Sequence, residues 1–253
     1  MKHILFFILL ITSGLSAQKA DSLFTKANKL YQQEKYDEAL VLYKKIEEEK
    51  PDAAEQSDDL LYNIANANYK LNKIAPAIYY YEKALMVNPN NDDVMFNLGF
   101  AQRMAIDNIE PLPKTFSQKI TERFILKLSY NIWAWSSVVL SFLFALFFLL
   151  YHFSYSSVTK RIYFISGIIS ITMVLVTITF AYHNFNIVKA NNPAIIFAQQ
   201  TEVKSAPTLS SEVSFELHEG TKVQVLESLD NWKKIKIADG KIGWMIADDL
   251  KEL

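Results

Sequence analysis

Residues 58–91, DDLLYNIANANYKLNKIAPAIYYYEKALMVNPNN, repeat the pattern of residues 20–53, ADSLFTKANKLYQQEKYDEALVLYKKIEEEKPDA. The matched positions are Leu23 and Leu61, Ala27 and Ala65, Asn28 and Asn66, Tyr31 and Tyr69, Ala39 and Ala77, Tyr43 and Tyr81, and Pro51 and Pro89. Small residues recur where two antiparallel helices cross closely, aromatic residues fill the space between them, and proline ends each copy. The pattern predicts two helical hairpins, with helices near 21–33, 36–49, 59–71 and 75–87.

A third copy begins at residue 92 and stops early. Met95, Leu98, Gly99 and Ala101 match the start of another unit, which predicts a fifth helix over 92–105. No second helix is expected, because two prolines follow at 111 and 113. The period of roughly 34 residues resembles the tetratricopeptide repeat. That resemblance implies an all-α domain over 20–108, with repeats 20–53 and 58–91, a partial repeat 92–107, and a role in binding rather than catalysis.

The first helix of each unit lines a groove in this family, and the groove holds an extended peptide or a helix of a partner protein. The positions that correspond here are Phe24, Asn28, Tyr31, Tyr62, Asn66, Tyr69, Lys70, Phe96, Phe100 and Arg103. We call these ten residues the docking face. The alternative for each single residue is structural, with the rings packed between helices and the asparagines merely solvated. For the face as a whole, the pattern favours binding of a partner protein.

Three apolar stretches indicate export and a membrane. Lys2 and His3 precede the run Ile4 to Ile11 and small residues up to Ala17, which predicts a signal peptide over 1–17, an uncleaved anchor helix being the alternative. Residues 132–153 and 162–182 are nearly unbroken apolar runs, each of the roughly 20 residues that a transmembrane helix needs. A pair of buried core helices is the alternative, but neither run has a polar face.

The approach to the first span, residues 114–131, is amphipathic. Its apolar residues recur every fourth position at Phe116, Ile120, Phe124 and Leu128, with Lys119, Arg123 and Lys127 beside them. This spacing predicts a linker helix that lies on the membrane surface, with its cations toward lipid phosphates. The alternative is a helix packed under the repeat domain. Trp133 and Trp135, which follow, are typical of a membrane interface.

Short alternating runs begin at about residue 195. Residues 221–226, 233–237 and 241–246 (TKVQVL, KKIKI, KIGWMI) predict strands, separated by turns at Asp230-Asn231 and Asp239-Gly240. Together with Trp232 and Gly243-Trp244, the pattern over 195–253 resembles the bacterial SH3 domain. The resemblance implies a small five-stranded all-β barrel that binds cell-wall peptides, peptidoglycan included, or partner proteins. Trp232 and Trp244 are the candidate contact surface of this SH3-like domain, or else packing residues of the barrel.

Composition and motifs argue against an enzyme. The net charge of −1 disfavours nucleic acid as a partner, and the absence of Cys excludes thiol chemistry and disulfides. The four histidines, His3, His152, His183 and His218, are scattered, and no phosphate loop, nucleophile elbow or zinc-ligand spacing occurs. We therefore predict no catalytic residues, no metal and no cofactor.

The chain is thus predicted to be multi-domain, with all-α repeat hairpins, a two-helix transmembrane hairpin and a small all-β SH3-like barrel. Lys160 and Arg161, between the spans, favour a cytoplasmic turn, so both domains are expected in the periplasm of a two-pass inner-membrane protein. The four cations before the first span, Lys114 among them, oppose this orientation.

This order of segments resembles the BatE-like proteins of the Bacteroidetes Bat (aerotolerance) operon. The resemblance implies a membrane-anchored scaffold that works with other Bat proteins, some with von Willebrand A domains, in stress or oxygen tolerance. The competing interpretation is an envelope sensor whose SH3-like domain binds peptidoglycan or a wall peptide and signals through the membrane hairpin.

Overall fold

The computed structural model describes residues 22–253, so the predicted signal peptide over 1–17 lies outside the described residues. The described chain forms two compact units. The first combines the residues up to 111 with 192–253, and the second consists of 112–191. The repeat region and the β-rich region, which are far apart in sequence, therefore belong to one unit.

The first unit begins with six helices. They are α1 (22–32), α2 (Tyr36–Glu49), α3 (Pro51–Glu55), α4 (Asp58–Lys70), α5 (Ile74–Val87) and α6 (Asp92–Gln102). Ser57 and Asn91 cap α4 and α6, each with a side-chain oxygen that accepts from a first-turn N–H. The end of the first copy and the two residues after it form α3, which starts at Pro51 and buries Ala54.

The helices pack through the small residues of the repeat. Ala27, Ala39, Ala65 and Ala77 are fully buried, because a methyl group is all that fits where two helices approach this closely. The space beside them is filled by tyrosine, and Tyr43 and Tyr81 are each 1% exposed. The predicted all-α repeat architecture is confirmed.

The β-rich region is one antiparallel sheet of seven strands, and not of the five that the resemblance implied. They are β1 (Pro193–Ile196), β2 (Gln200–Lys204), β3 (Val213–His218), β4 (Lys222–Leu229), β5 (Trp232–Lys236), β6 (Ile242–Ile246) and β7 (Leu250–Glu252), in the order β3-β2-β6-β5-β4-β1-β7. Its buried face carries Val203, Leu217, Ile235 and Met245. Gly243 is required there, because a Cβ would lie 2.5 Å from Cγ1 of Val203 on β2.

The second unit contains a long helical hairpin preceded by a short broken helix. Its elements are α7 (Phe116–Ile120), a π-helical turn (Thr121–Ile125), α8 (Tyr130–Phe153) and α9 (Ser157–Ala190). Both long helices are long and apolar enough to cross a membrane, and they contain the predicted spans 132–153 and 162–182. One polar contact joins them, from Oγ of Ser170 to the carbonyl oxygen of Leu140 at 2.8 Å.

The segment before the first span differs from the single helix expected over 114–131. The helical hydrogen-bond pattern changes from α to π here, because the N–H of Leu126 bonds to the carbonyl oxygen of Thr121, five residues back. The chain then turns, and α8 begins at Tyr130 behind the capping residue Ser129. The amphipathic residues thus lie on a short bent segment instead of a continuous helix.

Candidate functional site

The first helix of the first repeat presents an asparagine that a core tyrosine holds in place. Oδ1 of Asn28 accepts a hydrogen bond from the hydroxyl of Tyr43 at 2.6 Å. Burial, followed by the nearby Tyr31, raises the pKa of Tyr43 to about 12, so its hydroxyl stays a donor at physiological pH. The ring of Phe24 packs on the same tyrosine, with centroids 5.9 Å apart. The Asn28 side chain is therefore oriented by the core beneath it.

The second repeat has the same arrangement. Oδ1 of Asn66 accepts from the hydroxyl of Tyr81 at 2.6 Å, and the ring of Tyr62 lies 6.1 Å from that of Tyr81. Burial is the main cause that raises the pKa of Tyr81 as well. Two copies with equal hydrogen-bond lengths at matched positions make this a property of the repeat unit, and the matched asparagines face the same side of the domain.

Two further asparagines link the units, and sequence reasoning did not identify them. Nδ2 of Asn63 donates to Asn28 at 3.4 Å, and Nδ2 of Asn97 donates to Asn66 at 3.1 Å and to the hydroxyl of Tyr62 at 2.7 Å. Asn28, Asn63, Asn66 and Asn97 thus form a ladder across α1, α4 and α6. We call these four residues the asparagine ladder. The sequence signal that was available is that Asn63 and Asn97 stand 34 residues apart, one repeat period.

The last helix contributes an exposed cluster of aromatic rings and a cation. The rings of Phe96 and Phe100 meet edge to face with centroids 4.8 Å apart, and the guanidinium of Arg103 lies 4.4 Å from the centre of the Phe100 ring. Phe96 is 68% exposed, although burial of a phenylalanine would stabilise the fold. Three large side chains held together at the surface form a preorganised contact area.

The remaining members of the docking face have mixed roles. Tyr31 packs edge to face on Tyr36 at 5.1 Å, and burial is the first cause of its raised pKa. Tyr69 is half-buried against the helical core, and Lys70 is exposed. The docking face therefore divides into a half-buried polar row and an exposed aromatic end.

The second helix of the second repeat, α5, is covered by the β-rich region. Ile195 of β1 belongs to the same buried cluster as the helical core, with Phe197 packed beside it. The ring of Phe197 meets Tyr79 edge to face at 5.7 Å, and Nζ of Lys251 lies 4.6 Å over the same Tyr79 ring. The carboxylate of Glu82 accepts from Lys222 at 2.6 Å. We call this contact the α5 seam.

A turn of the sheet presses on the same helix. Gly220, with φ of 87°, lies so close to α5 that a Cβ would meet Ile78 at 3.0 Å and Ile74 at 3.1 Å. Only glycine satisfies both the left-handed backbone and this approach. The β3–β4 turn is thus built to fit the helix.

Asp107, in the segment after α6, adds hydrogen bonds to the contact between the repeat domain and the β-rich region. Its carboxylate accepts from the N–H of His218 at 2.7 Å, the hydroxyl of Thr221 at 2.6 Å and Nδ1 of His218 at 2.8 Å. Burial acts to raise the pKa of Asp107, but these hydrogen bonds outweigh it and hold the pKa below the usual value. One repeat-domain carboxylate therefore fixes the β3–β4 turn.

A cleft of about 500 Å³ opens beside Asp107, between the segment after α6 and the sheet. It is lined by Ile106, Asp107, Asn108, Ile109, Glu110, Phe215, Glu216, Leu217, Ile237, Asp239 and Lys241. Its carboxylates are largely engaged within the protein, since Asp239 bonds Lys241 and Glu216 accepts from Gln200. Among residues 22–253, no group of three or more His, Asp or Glu side chains is arranged to hold a metal ion.

The two tryptophans predicted as a surface of the β-rich region lie on neighbouring strands. Trp232 pairs with Ile246, and Trp244 pairs with Lys234, so both indoles belong to the face opposite to Ile235 and Met245. Both are half-buried. Nζ of Lys234 lies 5.6 Å over the Trp244 ring. This face thus combines indole rings with cations and lies outside the buried cluster of the sheet.

Comparison with known proteins identifies the modules that build this unit. Residues 59–91 match the family model of the tetratricopeptide repeat, and residues 200–251 match that of the bacterial SH3 domain. The chain is therefore a multi-domain protein that contains a tetratricopeptide repeat and a bacterial SH3-like domain. Both modules are typically non-catalytic and serve protein–protein interaction. No curated protein matches the chain.

Solved structures similar to the repeat region include the first tetratricopeptide repeat of Spaghetti (RPAP3) bound to the HSP90 peptide SRMEEVD. It is 32% identical, with 34% of this chain and 68% of that chain covered and a TM-score of 0.31. The first tetratricopeptide repeat domain of human RPAP3, solved by NMR, is 23% identical, with 34% and 91% covered and a TM-score of 0.22.

Proposed function

We propose that the protein is a membrane-anchored scaffold that docks partner proteins on the face formed by α1, α4 and α6. One observation carries the proposal: the SH3-like domain packs on α5 of the repeat domain, while Phe96 and Phe100 of α6 remain exposed and the asparagine ladder bonds only among α1, α4 and α6. A scaffold needs such an unoccupied face. The aromatic end of the docking face is also exposed, which a purely structural role would not require.

The chemistry of the docking face indicates the partner. Side-chain amides with fixed orientation suit the peptide groups of an extended segment or of a helix end, which need donors and acceptors together. The exposed aromatic pair suits an apolar side chain, and Arg103 with Lys70 suits a carboxylate. The proposed partners are membrane or periplasmic proteins, in a Bat-type envelope complex with von Willebrand A domain proteins, linked to stress or oxygen tolerance.

The anchor is the α8–α9 hairpin. The repeat region and the SH3-like region share a buried core at Ile195, so they occupy the same side of any membrane. Two crossings satisfy this requirement and one crossing would not. The proposed side is the periplasm, supported by the predicted signal peptide and by Lys160 and Arg161 in the first turns of α9, next to the connection between the helices.

The docking proposal is tested by affinity purification of the full-length protein from gently solubilised membranes. Replacing Phe96, Phe100 and Arg103 together by Ala removes exposed groups only, so the fold is expected to survive and partner recovery to fall about tenfold or more. The matched control replaces exposed residues of second helices, Val41 and Met86, with Ala. Equal recovery in both variants would refute the docking face. Replacing Asn28 or Asn66 is a poorer test, because Tyr43 or Tyr81 would lose its acceptor.

The proposed topology is tested by labelling single cysteines, which is clean because the chain has none. Tyr155→Cys lies in the connection between α8 and α9, and Ser210→Cys lies in an exposed loop of the SH3-like domain. In spheroplasts, a membrane-impermeant maleimide is expected to label the second position and to reach the first only after permeabilisation. The reverse pattern would place both domains in the cytoplasm.

A second candidate function is an envelope sensor in which the SH3-like domain binds peptidoglycan or a wall peptide. The indole rings of Trp232 and Trp244, with Lys234 beside them, favour it. The α5 seam would connect such binding to the repeat domain. The test is sedimentation of the full-length protein with purified cell wall, compared with Trp232→Ala and Trp244→Ala. The isolated fragment 195–253 is unsuitable, because Ile195 is buried in the helical core.

A further inference from the structure

The broken segment before the first span is hydrogen-bonded to both helices of the hairpin, near one end of it. The indole N–H of Trp133 donates to the carbonyl oxygen of Ile125 at 2.9 Å. The side-chain amide of Asn184, which is 2% exposed, donates to the carbonyl oxygens of Ile125 at 3.1 Å and Leu128 at 2.7 Å. Three hydrogen bonds thus fix the end of the segment between α8 and the last turns of α9.

These hydrogen bonds lie next to the end of the apolar run of α9. Asn184 comes two residues after the run 162–182 that carries the apolar composition. Helix α9 has 34 residues and is about 51 Å long at 1.5 Å per residue, whereas a hydrocarbon core is about 30 Å thick. In a bilayer the helix would therefore extend past the hydrocarbon core, and Asn184 would lie at the edge of that core.

Four apolar side chains of the segment form an exposed row, whereas Ile125, which faces the hairpin, is buried. Phe116 is 80% exposed and Phe124 is 56% exposed, with Ile120 and Leu128 between and after them. Rings placed this way beside a span can enter the headgroup region of a bilayer. The exposed row directly precedes the candidate span α8 in the chain.

Positive charge is concentrated at the same end of the hairpin. Residues 112–191 contain seven Lys or Arg and one carboxylate, Glu122, in a chain whose net charge is −1. The five cations at this end are Lys114, Lys119, Arg123, Lys127 and Lys189. Glu122 pairs with Lys114 at 2.7 Å, and no carboxylate among the described residues pairs with Lys119, Arg123 or Lys127. These three charges are available for an outside anion.

We propose that residues 114–128 form a lipid collar, which selects anionic phospholipid headgroups at the outer edge of the hairpin. The proposal rests on the membrane anchoring proposed above. The occupant is lipid, because the exposed rings adjoin two candidate spans and the unpaired cations match phosphate. It also gives the cations that oppose the predicted orientation a function of their own: they hold phosphate on whichever side the domains lie.

The test uses the full-length protein in phosphatidylcholine vesicles that contain a trace of dansyl-labelled phosphatidylglycerol or dansyl-labelled phosphatidylcholine. With Trp232 and Trp244 replaced by Phe in every variant, energy transfer from tryptophan reports which lipid neighbours Trp133 and Trp135. We expect stronger transfer to the labelled phosphatidylglycerol. In Lys119→Ser/Arg123→Ser/Lys127→Ser the preference should fall by about fivefold for each cation lost, since a cation at an anionic surface contributes about 1 kcal/mol. The matched control is Lys26→Ser/Lys29→Ser/Lys236→Ser, which removes three exposed lysines elsewhere.

The possible outcomes separate the two proposals. Equal transfer to both lipids in the parent protein, or a preference that survives the triple substitution, overturns the collar and leaves the anchor standing. Failure of the protein to enter vesicles, seen as no transfer to either lipid, overturns the anchor itself. A preference lost in the collar variant and kept in the control supports the collar.

Discussion

Helices α5 and α6 follow each other in the chain, but α5 is covered by the SH3-like domain whereas α6 has exposed aromatic side chains. Helix α5 is covered along Ile78, Tyr79 and Glu82 by the SH3-like domain. Helix α6 leaves Phe96 and Phe100 uncovered. The third unit lacks its second helix, so no helix of the repeat array covers α6, and the SH3-like domain packs on α5.

The covered side and the open side differ in how strictly they require particular residues. At the covered side, Gly220 has no room for a Cβ, and the carboxylate of Asp107 is held by three hydrogen bonds. At the open side, Gly99 would carry a Cβ whose nearest neighbour is Arg103 at 3.9 Å, an ordinary contact. The covered side is therefore intolerant of substitution for reasons of stability, and the open side is tolerant unless a partner binds there.

Gly220→Ala should break the covered side with the largest effect. The left-handed backbone costs about 1–2 kcal/mol for alanine, and the contact with Ile74 and Ile78 adds about 1–3 kcal/mol of overpacking. The measurement is urea unfolding of the detergent-solubilised protein, followed by tryptophan fluorescence. Gly240→Ala, with φ of 92° in the β5–β6 turn, controls for the backbone alone. Equal losses in both variants would mean that the α5 contact contributes nothing.

Asp107→Asn should weaken the covered side by about 2 kcal/mol at neutral pH, because charge-assisted hydrogen bonds to His218 and Thr221 are lost. The folded pKa of Asp107 lies below the ordinary value of 3.8, so its stabilisation is complete above that value. It is lost as the pH falls through the folded pKa. The difference between parent and variant in the free energy of unfolding should therefore shrink in acid. A difference that is constant with pH would show that the carboxylate charge plays no part.

Asn66→Ala should destabilise the open side by about 1–2 kcal/mol, because the buried hydroxyl of Tyr81 loses its acceptor. Adding Tyr81→Phe to this variant should recover part of the loss, which a double-mutant cycle measures. Asn63→Ala is the control, since its bond to Asn28 is long, at 3.4 Å. Additive losses in the cycle would contradict the coupling between the asparagine ladder and the core.

Gly99→Ala should have the smallest effect and the opposite sign. Alanine in the interior of α6 is expected to stabilise the protein by about 0.5–1 kcal/mol, since a Cβ has room. If a partner helix packs closely over α6, the same change should reduce partner recovery although stability rises. Thermal unfolding and affinity purification of one preparation measure both. A loss of stability would mean that the open side is already filled.

Much of the fold was predictable because it is written in short-range patterns. Three features of the sequence are recognisable within a short stretch of residues: the alanine positions of the repeat, the two apolar runs, and the alternating strands. The strands are those near 221–226, 233–237 and 241–246, and the structure has a helix or strand at each of these places. Four strands, β1, β2, β3 and β7, were not predicted individually, because each has only three to six residues. The docking-face residues were located by their repeat positions, but their division into a polar ladder and an exposed aromatic end required contacts between different helices.

The sequence by itself determined the modules, their order and the side of each helix that is apolar, since these depend on local periodicity. Only the tertiary structure decided that the two ends of the chain form one unit. Asp107 and His218 are 111 positions apart, and Ile195 completes a core made of helices that end before residue 103. Such contacts carry no local pattern, because a carboxylate or an isoleucine looks the same in sequence whichever surface it meets. That closure determines which side of the repeats is covered and which side is left to a partner.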